Sequence, residues 1–147
     1  MSKYELYLEE FLPYQLSYLT NLVSQDLASL YTEQFGIAHT EWRVMAVLGV
    51  TSGVSAAYVA EKTAMDKVAV SRAINGMIKR GLIDREFSND DKRRSELALS
   101  ETGLKKYQKI VPLVREYEKN LLKQLDEKEK QALDAILLKL TEFIRRQ

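Results

Sequence analysis

The sequence has no cysteine, one histidine, two prolines and six glycines in 147 residues. Without cysteine there can be no disulfide scaffold, no thiolate zinc or iron–sulfur site, no thiol redox sensor and no cysteine nucleophile. With His39 as the only histidine, histidine-rich metal sites and His–His catalysis are excluded too, and neither metal nor cofactor is expected. No Ser-His-Asp set can be drawn around His39, and there is no glycine-rich phosphate loop. The carboxylates are scattered along charged helical stretches, where they suit i, i+4 pairing with lysines better than acid–base work. The chain does not read as an enzyme. Long apolar runs are missing as well. The longest, Val44 to Val50, is seven residues, against about 20 for a membrane span. Glu5, Glu9 and Glu10 stand where a signal peptide would be apolar. A cytoplasmic location is the expectation.

What is present is an ordinary globular balance, 46% hydrophobic and 29% charged, in a chain of about one domain's length. Net charge is only +1, so the whole molecule is not a basic polymer binder. The charge is nevertheless uneven: residues 1–53 sum to −4, residues 54–95 to +3 and residues 96–147 to +2. The middle of the chain is the basic part.

Punctuation predicts six helices and one hairpin. Leu16, Leu19, Val23, Leu27 and Leu30 mark one face of a first helix that begins near Pro13 and ends at Gly36. Thr40 is the expected N-cap of a second helix ending near Gly49. Ser55 can cap a short third helix, and Asp66 a fourth that runs to about Arg80 before Gly81. Leu82–Phe87 and Ser95–Leu99 read as paired strands joined by a polar loop. Ser100 opens a long helix to about Leu125, and Asp126 with Glu129 forms a capping box for the last. Pro112, inside the long fifth pattern, predicts a kink or break near Lys109–Pro112.

Two short helices joined by Thr63-Ala64-Met65 have the helix-turn-helix arrangement. Val59, Ala60 and Met65 are apolar where the first must pack on the second. Val70, Ala73, Ile74, Met77 and Ile78 form the second helix's inward stripe. Lys67, Ser71, Arg72, Asn75 and Lys79 form the opposite one. These side chains suit phosphates and base edges: Arg pairs bidentately with guanine, Asn with adenine, Ser with either. A polar face is common on any surface helix, but here it is followed by Lys92, Arg93 and Arg94 at a hairpin tip. A basic hairpin after such a helix is a wing, whose cations suit the narrow minor groove. Asp91 is spaced to pair with Arg93 and orient it.

At this point the chain resembles the MarR (multiple antibiotic resistance regulator) family of winged helix-turn-helix transcription factors. The resemblance lies in Gly36–Met45, Val59–Arg72, Lys79–Arg85 and the wing-and-restart segment Asp91–Gly103, with Ser100 where the family carries threonine. It implies a mainly α fold with a small β-hairpin wing, in which residues 37–100 bind DNA and residues 1–36 and 101–147 supply dimerisation helices. It further implies a recognition helix in the major groove, through Ser71 and Arg72, and Arg93 in the minor groove with Asp91 as its partner. The protein expected is a homodimeric, ligand-responsive repressor of a bacterium or archaeon. Two other uses of a winged helix stay open: a protein–protein interaction module and a metal-sensing regulator, the latter disfavoured by the missing cysteines.

A homodimer also follows from the residues themselves. Residues 6–30 and 104–147 carry apolar stripes that one winged domain cannot cover, including Leu133, Ile136, Leu137, Leu140, Phe143 and Ile144. Pairing them about a two-fold axis predicts a palindromic site with half-sites roughly 10 bp apart. The resemblance implies small, often aromatic and acidic effectors. Tyr14, Tyr18, His39, Trp42 and Arg43 are the candidate ligand residues, with rings to sandwich an apolar body and Arg43 or His39 to pair with a carboxylate.

Overall fold

Most helices begin where a side chain can satisfy their first free amides. In a computed structural model, which describes residues 3–87 and 95–147, Ser55 Oγ accepts from the Tyr58 N–H and opens α3 (Ala56–Thr63). Asp66 Oδ2 accepts from the Ala69 N–H and opens α4 (Lys67–Lys79). Ser100 Oγ accepts from the Gly103 N–H at the start of α5 (Glu101–Leu122), and Asp126 and Glu129 exchange capping bonds at α6 (Glu127–Arg145). Earlier in the chain, a 3-10 turn at Leu8–Glu10, not anticipated from the sequence, leads into α1 (Leu12–Phe35).

One sequence expectation fails locally, and another fails in part. The second helix, α2 (His39–Leu48), begins before Thr40: Ala38 is its N-cap residue, and Glu41 supplies the cap by accepting from the Ala38 N–H at 2.9 Å. Glu41 at the third helical position can reach back along the chain, so no capping hydroxyl is needed. Nor is α5 broken at Pro112. It runs from Glu101 to Leu122 with the proline inside.

The described chain forms two packed units, Met1–Val111 and Pro112–Gln147. These units of packing differ in their bounds from the expected division into residues 1–36, 37–100 and 101–147. In the first unit, α2, α3 and α4 pack on one another and α1 joins α2. Their shared core holds Tyr31, Ile37, Val44, Met45, Leu48, Val59, Val70, Ile74 and Met77, with Leu82, Ile83, Leu97 and Ile110 closing it from below. Strands β1 (Ile83–Phe87) and β2 (Ser95–Leu99) are antiparallel, with Ile83 opposite Leu99 and Arg85 opposite Leu97. The hairpin is pinned to the loop before α3 by an isolated bridge between Val54 and Leu97. Helix α5 starts hard against the hairpin. A Cβ at Gly103 would fall on the Leu82 carbonyl, so only glycine lets the two backbones meet. In the second unit α6 buries none of its residues. Leu133, Ile136, Leu137, Leu138, Leu140, Phe143 and Ile144 are all exposed in the single chain.

Candidate nucleic-acid interface

Helix α4 is two-faced. Val70, Ala73, Ile74 and Met77 are buried, while Lys67, Ser71, Arg72, Asn75 and Lys79, the residues singled out from sequence, are all exposed. Its entry is sharply set. Ala64, the C-cap residue of α3, adopts the left-handed conformation at φ 54°, and Asp66 then caps α4. Its exit is held by charge. Arg80 Nη1 donates to Glu41 Oε2 at 2.6 Å, and Nη2 donates to the Gly36 carbonyl. Gly36 ends α1 in the left-handed conformation at φ 66°, which turns that carbonyl out of the helix. A second cation meets the same turn: Lys106 Nζ on α5 donates to the Phe35 carbonyl at 3.0 Å.

The structure adds two residues to this face. Arg85, on β1, shares the strand face of buried Ile83 but lies one step farther out. From there its guanidinium donates to Asn75 Oδ1 at 3.3 Å. Asn75 Oδ1 thus already accepts one hydrogen bond within the chain. Its amide N–H groups can donate to a partner, and bidentate pairing with adenine would use the second lone pair of Oδ1. The second addition is Val68, an exposed valine on the same side of α4. A count of polar types passes over it, but helical spacing from Arg72 and Asn75 finds it. The wing residues Asp91, Lys92, Arg93 and Arg94 lie outside the described residues.

The candidate ligand residues separate into two groups. His39, Trp42 and Arg43 come together, with Leu19, Thr20, Val23, Ser24 and Leu27 of α1, around a cleft of about 300 Å³. Tyr14 and Tyr18 stay exposed on α1 and do not line it; Tyr14 instead meets Phe11 edge-on at 5.1 Å. Tyr31, which sequence reasoning leaves out, is buried behind the cleft's wall and contacts two of its lining residues. Its ring stacks on Trp42 at 5.6 Å, Trp42 stacks on Tyr107 at 6.0 Å, and its hydroxyl hydrogen-bonds His39 Nδ1 at 2.9 Å. Burial raises the Tyr31 pKa, while burial and then the Arg43 charge lower that of His39. Both shifts keep this pair neutral. Arg43 also borders a shallower groove of about 480 Å³ between α2 and α3, with Tyr58 and Lys62. Among the described residues, no cluster of three or more metal-ligating side chains occurs, and no helix is long and apolar enough to cross a membrane.

Comparison with known proteins points one way. The MarR family sequence profile matches residues 35–94. The HTH-type transcriptional regulator BilQ of Clostridium symbiosum is 30% identical over 93 residues, which are 63% of this chain and 65% of that protein. The match thus spans less than two thirds of that regulator's length. A MarR/EmrR family transcriptional regulator from Acinetobacter sp. ADP1 has the same fold with a TM-score of 0.88 and 30% identity, over 97% of this chain and 100% of the other. MepR of S. aureus, solved as a DNA complex, is alike in fold with a TM-score of 0.76 at 24% identity, over 86% of this chain and 96% of its own.

Proposed function

The chain belongs to the MarR family of transcriptional regulators, and from that premise we propose that it binds double-stranded DNA sequence-specifically as a homodimer and represses transcription until a small effector releases it. The observation that carries this reading is the face of α4. Five polar side chains, three of them cationic, stand exposed on a helix whose opposite side is locked into the core and whose two ends are fixed by Asp66 and by the Arg80–Glu41 pair. A helix so held can enter the major groove without loss of order on binding. Arg72 is assigned to a base edge, Lys67 and Lys79 to phosphates, Ser71 to either, and Asn75 to an acceptor. Lys92, Arg93 and Arg94, with Asp91, are assigned to the wing's minor-groove contact. The S. aureus relative's DNA complex supports the same use of the fold.

Two further parts complete the proposal. The exposed apolar stripe of α6 and the exposed leucines of α1, Leu12, Leu16, Leu19 and Leu22, suit burial against a second copy, which would set two recognition helices on a palindromic operator. The cleft holding His39, Trp42 and Arg43 suits a small aromatic acid. Trp42, backed by the ring of Tyr31, offers an apolar wall, and Arg43 makes no ion pair among the described residues. Action in the cytoplasm goes with this role.

Selection of duplexes from a random pool by the full-length protein, followed by footprinting, tests the reading. Enrichment of a palindrome with half-sites roughly 10 bp apart is expected. Arg72→Ala should lower discrimination at one base pair per half-site by about 1–3 kcal/mol. Failure to enrich any sequence would remove the DNA-binding assignment. A protein–protein role would then be the better reading of the same exposed helix.

A further inference from the structure

Val68 sits at the centre of a face that is otherwise polar. At about 100° per residue, Val68, Arg72, Asn75 and Lys79 fall within about 60° of one another around α4, with Ser71 flanking them. The buried residues Val70, Ala73, Ile74 and Met77 occupy the opposite side. Val68 is 56% exposed, and nothing in the fold rewards a valine there. Its branched Cβ restricts rotamers and lowers helix propensity relative to the lysine, glutamate or alanine that suits an exposed helical position. It is also the second residue of α4, in the turn that a groove-bound recognition helix brings nearest the bases.

Only one base edge in the major groove offers an apolar group, the C5 methyl of thymine. We propose that Val68 is a specificity-determining residue whose side chain packs on a thymine methyl beside the base pair contacted by Arg72. This rests on the DNA-binding reading above and adds a base to it. Val68 and Arg72 are four residues apart, about 6 Å along the axis, and base pairs rise about 3.4 Å. The thymine therefore lies one or two steps from the pair that Arg72 reads.

The test uses the full-length protein and the duplex enriched by the wild type. Each thymine in turn is replaced by deoxyuridine, which removes the methyl and leaves every hydrogen-bonding group. Wild type and Val68→Ala are titrated with each duplex, with helix content, melting temperature and oligomeric state measured alongside. For wild type, one thymine per half-site should lose about three- to fivefold in affinity per half-site on losing its methyl. Val68→Ala should bind the parent duplex more weakly by the same factor and lose nothing more at that deoxyuridine. Retention of the full deoxyuridine penalty in Val68→Ala would overturn the inference while leaving DNA binding intact. So would wild-type affinity for the parent duplex, or a dimer that falls apart on this substitution. If the wild type enriches no duplex at all, the DNA-binding reading fails first and this inference with it.

Discussion

Helix α4 hides its apolar stripe inside its own chain, whereas α6 leaves an equally regular stripe in the open. Val70, Ile74 and Met77 are wholly buried against α2 and α3, but Ile136 is 54% and Phe143 59% exposed. Both helices are capped by an aspartate, and both place apolar residues at helical spacing. The difference teaches that amphipathic periodicity reports a face to be covered and is silent on what covers it. For α4 the cover is local, three helices within about 40 residues of one another. For α6 it must come from elsewhere, and a second copy is the proposed source.

The same substitution in the two helices is the strongest way to test this contrast. Ile74→Ala should cost about 2–5 kcal/mol of stability, because it opens a cavity in a closed core. That loss, read by urea melts, should not depend on protein concentration. Ile136→Ala should instead raise the dimer dissociation constant in sedimentation, and its effect on melting should be absent where both proteins are monomeric and grow as concentration rises and dimer forms. A concentration-independent loss at Ile136 would mean that α6 is covered within one chain.

Charge sharpens the contrast at a smaller scale. Arg80 ties the end of α4 to Glu41, whose side chain is 12% exposed, and to the Gly36 carbonyl. The pairs on α6, Lys130–Glu127 and Arg146–Glu142, are largely solvated. Arg80→Ala should cost about 1–2 kcal/mol, allowing for the partial exposure of the guanidinium. Arg146→Ala should stay within about 0.5 kcal/mol of wild type. Equal effects in thermal melts would show that the α4 anchor is no stronger than a surface pair.

The smallest effect expected is one of pH, and it belongs to the first unit alone. Burial and the Arg43 charge lower the folded pKa of His39 below its ordinary 6.5. A histidine with a lowered folded pKa binds fewer protons when folded, so its contribution is present above about 6.5 and is lost as the pH falls below that value. His39→Asn should flatten this part of the stability profile between pH 7.5 and 5. An unchanged slope would place the acid sensitivity in the carboxylates.

Much of this was legible from the chain because it rests on neighbours in sequence. Ser55, Asp66, Ser100 and Asp126 cap amides three residues away, so composition and spacing suffice to find them. The α2 start is not legible because Glu41, not Thr40, does the capping, and a carboxylate in a first helical turn is common enough to carry no signal. Ala64 gave no warning of its left-handed backbone; glycine is the residue that announces such a turn. At the interface, Lys67, Ser71, Arg72, Asn75 and Lys79 were found by type. Residue type alone does not single out Val68, which is apolar, or Arg85, which needs a strand register to bring it to Asn75.

The sequence by itself determined which residues form helices, which faces are apolar and where the basic hairpin falls, since each depends on periods of 3.6 or 2 and on caps a few bonds away. Only the tertiary structure decided what those faces meet. That Arg80 reaches back 44 residues to the turn after α1, that Tyr31 stacks on Trp42 and bonds His39, and that Tyr14 and Tyr18 stay out of the cleft are outcomes of packing. Side chains distant in sequence compete for the same space, and local spacing holds no record of which of them wins.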